Sequence, residues 1–247
     1  MLKFLSRTPK RQPSIPGPQL AVDLHSHLIP GIDDGAQSRD EALLLLKGLY
    51  DAGYRKCITT PHVYAGLYEN TPAAIESGLQ QLREIIRLNS ISMEVEAAAE
   101  YFFDHHFFEL IAKQELLTFG QRYVLFELPV SGKPAMLDDM IFKMRLAGYQ
   151  PVLAHPERYP YLHDRSMSAY QRLKEQEVFF QLNLMSLTGY YAENIRLASV
   201  DLIKHNMIEF AGSDIHKQKH IPVIHKALHD DSFRQLLASG KLLNDKL

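Results

Sequence analysis

The 247-residue chain has one cysteine, Cys57. A single thiol excludes an intrachain disulfide and fits a reducing compartment, so a cytoplasmic protein is expected. Charge imbalance is also missing. Lys and Arg number 27 against 29 Asp and Glu, a formal net charge of −2, which gives nucleic acid and anionic membranes little to hold. No apolar run approaches the roughly 18–20 residues that span a bilayer. The N-terminal MLKFLSRTPKRQPSIPGPQL has too short an apolar part for a secretory signal, which needs about 7–15 such residues, and four prolines follow it. Residues 1–19 are therefore expected to form a flexible arm outside the folded unit, with Leu2, Phe4 and Leu5 open to a docking role. Familiar nucleophile and phosphate loops are absent too. There is no G-x-S-x-G and no P-loop. A cysteine phosphatase would place arginine six residues after its thiol, where this chain has Val63, and CITTPH reads as an apolar strand. Cys57 is expected in the core.

What is present is a rhythm. Short apolar runs lie at Ala21–Leu24, Lys56–Thr60, Met93–Ala99, Tyr123–Phe126, Pro151–Ala154, Val178–Leu182 and Ile208–Ala211. Amphipathic stretches separate them. Ser38 with Glu41 makes a capping box before the first, and Thr71-Pro72 opens the second. Others are expected in the stretch after Glu100, over 133–148, 166–177, 193–206 and from about 222 to 237, with 63–70 as a loop. Seven alternations predict a parallel sheet with helices outside, closed or nearly closed into a barrel. With 46% hydrophobic and 23% charged residues, and no repeat or linker after residue 20, one α/β domain over 20–247 is expected.

The runs share a feature at their C-terminal ends. In order these carry His25 and His27, His62, Glu100, Glu127, His155, Asn183, then Asp214 and His216, with Asp33-Asp34 close behind the first. His25 and His27 are two apart, so a strand period of two turns both imidazoles the same way. In a parallel barrel all C-terminal ends face one mouth. Polar strand ends are common, and one or two of these would mean nothing. Six of seven carrying His, Asp or Glu point to a site. About nine imidazoles and carboxylates exceed what one ion can use, so two or three divalent ions sharing carboxylate bridges are expected. A nitrogen and oxygen donor set without thiolate suits Mn, Fe, Zn or Mg.

Such a site does hydrolysis: ions lower the pKa of water to about 7 and clamp an in-line displacement. Phosphate esters suit it, because their oxygens bridge metals. Arg158, three residues after His155, is the expected phosphate fork. Lys217, Lys219 and His220 can shape a substrate rim or a solvated charge cluster, and Tyr64, Tyr68, Tyr190 and Tyr191 can wall an aromatic substrate. His105, His106, His163, His205, His225 and His229 read as structural or solvated.

The ordered set D-x-H-x-H (Asp23, His25, His27), DDG (Asp33 to Gly35), PH (His62), AE (Glu100), FE (Glu127), HPERY (His155 to Tyr159) and SDIH (Ser213 to His216) resembles the polymerase-and-histidinol-phosphatase, or PHP, superfamily. Within it the pattern is similar to the manganese-dependent protein-tyrosine phosphatases of bacterial capsule and exopolysaccharide systems. The likeness spans about residues 20–220. It implies a distorted TIM-like (βα)7 barrel and three divalent ions, usually Mn2+. One ion would take His25, His27, Glu100 and Asp214; a second Glu100, Glu127 and His155; a third Asp34, His62 and His216. Alignment selects Asp34 over Asp33; the residues by themselves leave both open. Arg158 matches the family's phosphate-contacting arginine. Relatives often carry a further arginine near a proline after SDIH, where this chain has Lys217, Lys219 and His220 before Pro222.

The resemblance implies hydrolysis of phosphotyrosine by metal-activated hydroxide, without a covalent phosphoenzyme, on the tail of a polysaccharide-export tyrosine autokinase. The alternatives are the same chemistry on a small phosphomonoester, and a non-catalytic regulator that binds phosphotyrosine. Degeneration to a regulator normally removes ligands, and none of the nine is missing.

Overall fold

The computed structural model describes residues 20–247 apart from Arg165, so the expected arm at 1–19 lies outside the described residues. The short apolar runs form parallel strands. One sheet has the order β1 (Val22–Leu24), β2 (Lys56–Thr59), β4 (Glu94–Ala97). The other runs β3 (His62–Val63), β5 (Glu100–Phe102), β6 (Tyr123–Glu127), β7 (Gln150–Ala154), β8 (Phe179–Asn183), β9 (Phe210–Gly212). Every pairing is parallel.

Two of the expected strands stop short, and a second short strand follows each. The run after Lys56 stops at Thr59 and resumes at His62, because Pro61 has no N–H to give a ladder. The run after Met93 stops at Ala97 and resumes at Glu100. Both breaks lie at one level, and Ala98 N–H donates to Thr59 O (2.9 Å) and Glu100 N–H to Pro61 O (3.0 Å) across them. The β1 and β9 ends meet through a parallel Ser26–Ile215 bridge, with His27 N–H donating to Ile215 O (3.0 Å) and Asp214 N–H to His25 O (2.8 Å). Followed around, the seven strand positions return to their start. Splitting two of them is the distortion.

Helices α1 (Arg39–Asp51), α2 (Pro72–Leu88), α3 (His105–Lys113), α4 (Leu137–Leu146), α5 (Ser168–Glu175) and α6 (Glu193–Lys204) make the crossovers that parallel neighbours require. Ser38 Oγ accepts from Glu41 N–H (3.2 Å), while the Glu41 carboxylate reaches Gln37 N–H (2.8 Å). The expected helix at 133–148 begins only at Leu137. The single tail helix is two, α7 (Ile221–Leu228) and α8 (Asp231–Ala238), because Asp230 ends the first and caps the second by accepting from Ser232 N–H (2.8 Å). Among the described residues no helix is long and apolar enough to cross a membrane.

Apolar side chains fill the ring's interior toward the N-terminal ends of the strands. Val22, Leu24, Ile58, Leu125, Val152 and Phe210 pack there, and Leu243 and Leu247 lie against them. Asn244 seals this floor, with Nδ2 donating to Val22 O (3.0 Å) and Ala211 O (2.8 Å) and Oδ1 accepting from Ala211 N–H (3.0 Å). Cys57 is buried in the outer core between sheet and helices, as its sequence setting predicts. With the floor plugged, the C-terminal ends are left for chemistry.

Candidate metal centre

Three strands end by turning sharply into that mouth. His25 leaves β1 at φ +106°, His155 leaves β7 at +36° and Asp214 leaves β9 at +50°. Each is a left-handed conformation that an L side chain adopts at a cost of about 1–3 kcal/mol. Neighbours hold them in place. Asp214 N–H donates to His25 O, and His155 N–H donates to Gln181 O (2.7 Å). The ends of β1 and β9 approach so closely that a Cβ on Gly212 would lie 1.8 Å from Leu24 O; only glycine fits. Asp23, fully buried, fastens the same junction by accepting from Ser213 N–H (2.7 Å) and Ser213 Oγ (2.8 Å). Burial outweighs those bonds and pushes its carboxyl up to about 7.

The turns bring the nine expected side chains together. His25 Nε2 lies 3.1 Å from Glu100 Oε2 and 3.3 Å from Asp214 Oδ1. His27 Nε2 is 3.5 Å from each of those oxygens. His62 Nδ1 faces Glu100 Oε2 (3.2 Å) and Glu127 Oε1 (3.3 Å), while its Nε2 faces Asp34 Oδ1 (3.5 Å). His216 Nε2 is 3.4 Å from the same Asp34 oxygen. His155 Nε2 sits 3.0 Å from Glu100 Oε1 and 4.0 Å from Glu127 Oε2.

These spacings fit cations. Two donors each about 2.1 Å from one ion, at tetrahedral to octahedral angles, lie about 3.0–3.4 Å apart. His27 Nε2 and His62 Nδ1 are buried and make no well-aligned hydrogen bond to the carboxylate oxygens 3.2–3.5 Å away, a cost a bound cation would remove. Four groups have donor atoms close enough to share an ion: His27 with Asp34, His62 and His216; His25 with His27 and Glu100; His25 with His155 and Asp214; and His62 with Glu100 and Glu127. The third implied ligand set reappears here with His27 added. The second does not reappear as a group, because His155 clusters with His25 and Asp214, and His62 takes its place beside Glu127.

Charge tells the same story. Burial opposes a proton on His25, yet the Glu100 and Asp214 carboxylates raise it to about 9. His27 is held well above its ordinary value against burial by Asp33, Asp214 and Glu100. Burial would raise Glu100 and Asp214; the surrounding imidazoles instead hold both well below the usual carboxylate range.

A second layer aims the first. Asp33 Oδ2 accepts from His27 Nδ1 (2.7 Å) and His62 N–H (3.2 Å), and its Oδ1 accepts from Gly35 N–H (2.9 Å). Asp33 is thus the orienting carboxylate behind His27, and Asp34 the one that faces the cluster. A Cβ on Gly35 would strike His27 O at 2.2 Å, which is why glycine follows the pair. Gln181 Oε1 pairs with His25 Nδ1 (2.8 Å), and Tyr159 Oη with His155 Nδ1 (3.3 Å), so both Nε2 atoms face inward. Sequence reasoning missed Gln181. Its signal was a polar residue inside the apolar FFQLN, which must find a partner when buried. Glu157 was also missed; it accepts from Asn183 N–H (3.0 Å) and Ser186 Oγ (2.8 Å), and burial pushes it up to about 7.

Arg158 stands at the lip. Its Nη1 donates to Asp214 Oδ2 (3.1 Å) and its guanidinium lies 4.6 Å from the Tyr191 ring centroid. Asn183 Nδ2 donates to the same Asp214 oxygen (2.6 Å) and to Tyr191 Oη (2.9 Å). The mouth is a cavity of about 420 Å³, with Lys217, Lys219 and His220 on its rim beside Tyr64, Tyr68 and Tyr190. His220 is pushed down to about 4 by burial and the nearby His216 and lysine charges; it accepts from His216 N–H (3.2 Å). The histidines set aside lie elsewhere: His105 pairs with Glu109, and His205 and His229 bond their own helix carbonyls.

Known proteins resemble this chain in sequence and fold. A family model described as capsular polysaccharide synthesis, CpsB/CapC, matches residues 21–230. The tyrosine-protein phosphatase YwqE of Bacillus subtilis is 30% identical over 199 residues, covering 80% of this chain and 78% of that protein. The tyrosine-protein phosphatase CpsB of Streptococcus pneumoniae is 25% identical over 201 residues, 79% of this chain and 82% of that one. Among solved structures, one from work on YwqE and CpsB as unique metal-dependent tyrosine phosphatases superposes with a TM-score of 0.78 at 28% identity, covering 88% of this chain and 90% of that chain. The phosphotriesterase homology protein of Escherichia coli, 15% identical with a TM-score of 0.54 over 90% of this chain and 93% of that one, shares the fold.

Proposed function

This chain belongs to the CpsB/CapC family of capsular polysaccharide synthesis, and from that premise we propose that it is a metal-dependent protein-tyrosine phosphatase. The observation that carries the reading is the convergence of nine imidazoles and carboxylates with two buried imidazole nitrogens left without a well-aligned hydrogen bond. His25, His27, Asp34, His62, Glu100, Glu127, His155, Asp214 and His216 would hold three divalent ions, manganese by family likeness. When bound, such ions supply Lewis acidity toward water and the phosphoryl oxygens.

The chain's own residues do the rest. Arg158, already fixed by Asp214 and Tyr191, offers its remaining N–H groups to the phosphoryl oxygens, a bidentate match to phosphate. Asn183 holds Asp214 so that its second oxygen stays toward the histidines. Lys217 and Lys219 add positive charge on the rim in place of a family arginine. Tyr64, Tyr68, Tyr190 and Tyr191 line the approach and suit a phenyl ring, since aromatic faces pair offset or edge-on. Asp34 faces the cluster with half its side chain exposed, so the mouth is open enough for an ester carried on a protein. The substrate in this reading is phosphotyrosine on a polysaccharide-export tyrosine kinase, met in the cytoplasm, and the phosphatase unit spans 20–247. Hydrolysis of a phosphotyrosine peptide beside its phosphoserine counterpart, with Mn2+ and after chelation, tests it. Chelation-sensitive turnover of the tyrosine ester is expected; turnover of neither peptide by metal-loaded protein removes the reading.

A further inference from the structure

Beside the mouth lies a second cavity of about 470 Å³ that the proposed reaction does not use. Its floor is apolar, made by Val63, Pro72, Ile75, Tyr101, Leu110 and Leu117. Its rim sets His106 and Lys113 against Glu69 and Glu115, so it favours neither sign of charge. One thin wall divides it from the mouth: the turn from Tyr64 to Tyr68, closed by Tyr64 N–H to Tyr68 O (2.9 Å) and Tyr68 N–H to Tyr64 O (2.8 Å). Side chains alternate across that wall. Tyr64, Leu67 and Tyr68 line the mouth, while Val63, Ala65 and Glu69 line the second cavity. The wall is anchored, since Tyr64 stacks on Phe102 at 3.9 Å and Ala65 N–H donates to Asp104 Oδ2 (3.0 Å). At its crest Leu67 is 60% exposed. An apolar surface therefore runs from the mouth over the wall into an apolar hollow.

We propose that this cavity is a specificity pocket for a large uncharged apolar side chain of the protein substrate, a few residues from the phosphotyrosine. The proposal rests on the phosphatase reading above. A phosphotyrosine seated in the mouth lays its own chain on the rim, and Leu67 gives that chain an apolar surface to cross. An extended chain advances about 3.3 Å per residue, about 7–13 Å over two to four residues. A side chain two to four positions from the phosphotyrosine thus reaches the hollow. The balanced rim selects against a charged occupant, which would lose hydration without a partner. Continuity with the mouth assigns the pocket to the substrate rather than to a second copy of this chain.

Phosphotyrosine peptides with Leu or Ser at each position two to four residues on either side test this, with free phosphotyrosine as the control ester. At one of those positions Leu is expected to lower KM about tenfold relative to Ser, the effect of burying one large apolar side chain. Ala65→Trp, an exposed site where a large ring fills the hollow, should erase that difference and leave free phosphotyrosine turnover unchanged. Leu110→Asp, which puts a charge on the floor, should erase it by different chemistry. Equal KM values for Leu and Ser peptides at every position overturn the proposal, as does a Leu preference that survives Ala65→Trp. Concentration-dependent self-association in light scattering that Ala65→Trp abolishes would make the hollow a contact between copies, also against it. Metal-loaded protein that hydrolyses neither the peptides nor free phosphotyrosine refutes the phosphatase reading itself, and this inference falls with it.

Discussion

The two ends of one ring of strands handle charge in opposite ways. At the floor, Lys174 Nζ donates to both Glu209 oxygens (2.6 Å each) and to Val178 O (2.9 Å), and Lys56 Nζ donates to Glu96 Oε1 (2.6 Å) and Leu247 O (2.9 Å). Both lysines there have a carboxylate partner, and Asn244 satisfies the backbone between β1 and β9. At the mouth, Asp34, Glu100, Glu127 and Asp214 crowd among five imidazoles, three of the nine residues sit at positive φ, and two buried nitrogens make no well-aligned hydrogen bond. Folding finishes the floor. In the proposed reading the mouth is finished by cations from outside the chain, and its strain and unmet polar groups are what a functional end carries.

That division can be broken by substitution. The largest effect is expected at His27→Ala, where phosphotyrosine turnover should fall about 100-fold or more along with the bound metal, while the thermal midpoint of the chelated protein hardly moves. A fully active variant would separate His27 from the chemistry. Phe210, fully buried in the floor, is the counterpart: Phe210→Ala should cost about 3–5 kcal/mol in a denaturant titration, with turnover per folded molecule and metal content unchanged. Metal loss there would show that the two ends are not independent. Asp33→Asn keeps the shape but removes the charge behind His27, and calorimetric metal titration should show about 10–100-fold weaker binding; unchanged affinity would reduce Asp33 to a loop brace. Arg158→Ala should raise KM about tenfold and leave metal content, measured by elemental analysis, near that of the parent. A loss of metal there would mean that the guanidinium mainly holds Asp214.

Much of the site was legible in the chain because strand direction converts sequence order into spatial convergence. Once seven runs alternate with helices, their final residues must share a mouth, and His25, His62, Glu127 and Asp214 do. What a strand end cannot disclose is which neighbour holds it. Gln181 aims His25 across 156 positions of chain, and no local pattern marks that pairing. Asp33 and Asp34 are chemically identical in the sequence, and only the fold around Gly35 turns one behind His27 and the other toward His216. The break at Ala98–Ala99 was read as part of one strand, and the short strand after Pro61 was not foreseen, since a run of apolar residues looks the same whether its ladder is straight or shifted. The missing N–H of Pro61 was the available clue. Helix ends were blurred where a capping residue falls inside a polar stretch, as Asp230 does between α7 and α8.

The central claim is that the mouth works only when metal completes it. The direct measurement strips the protein with a chelator, then returns Mn2+ stepwise while following ions bound per chain and phosphotyrosine turnover in the same samples. The account predicts no turnover in the stripped protein and recovery as binding rises toward three ions per chain. Turnover that persists without metal, or protein that binds none and stays inactive, would contradict it.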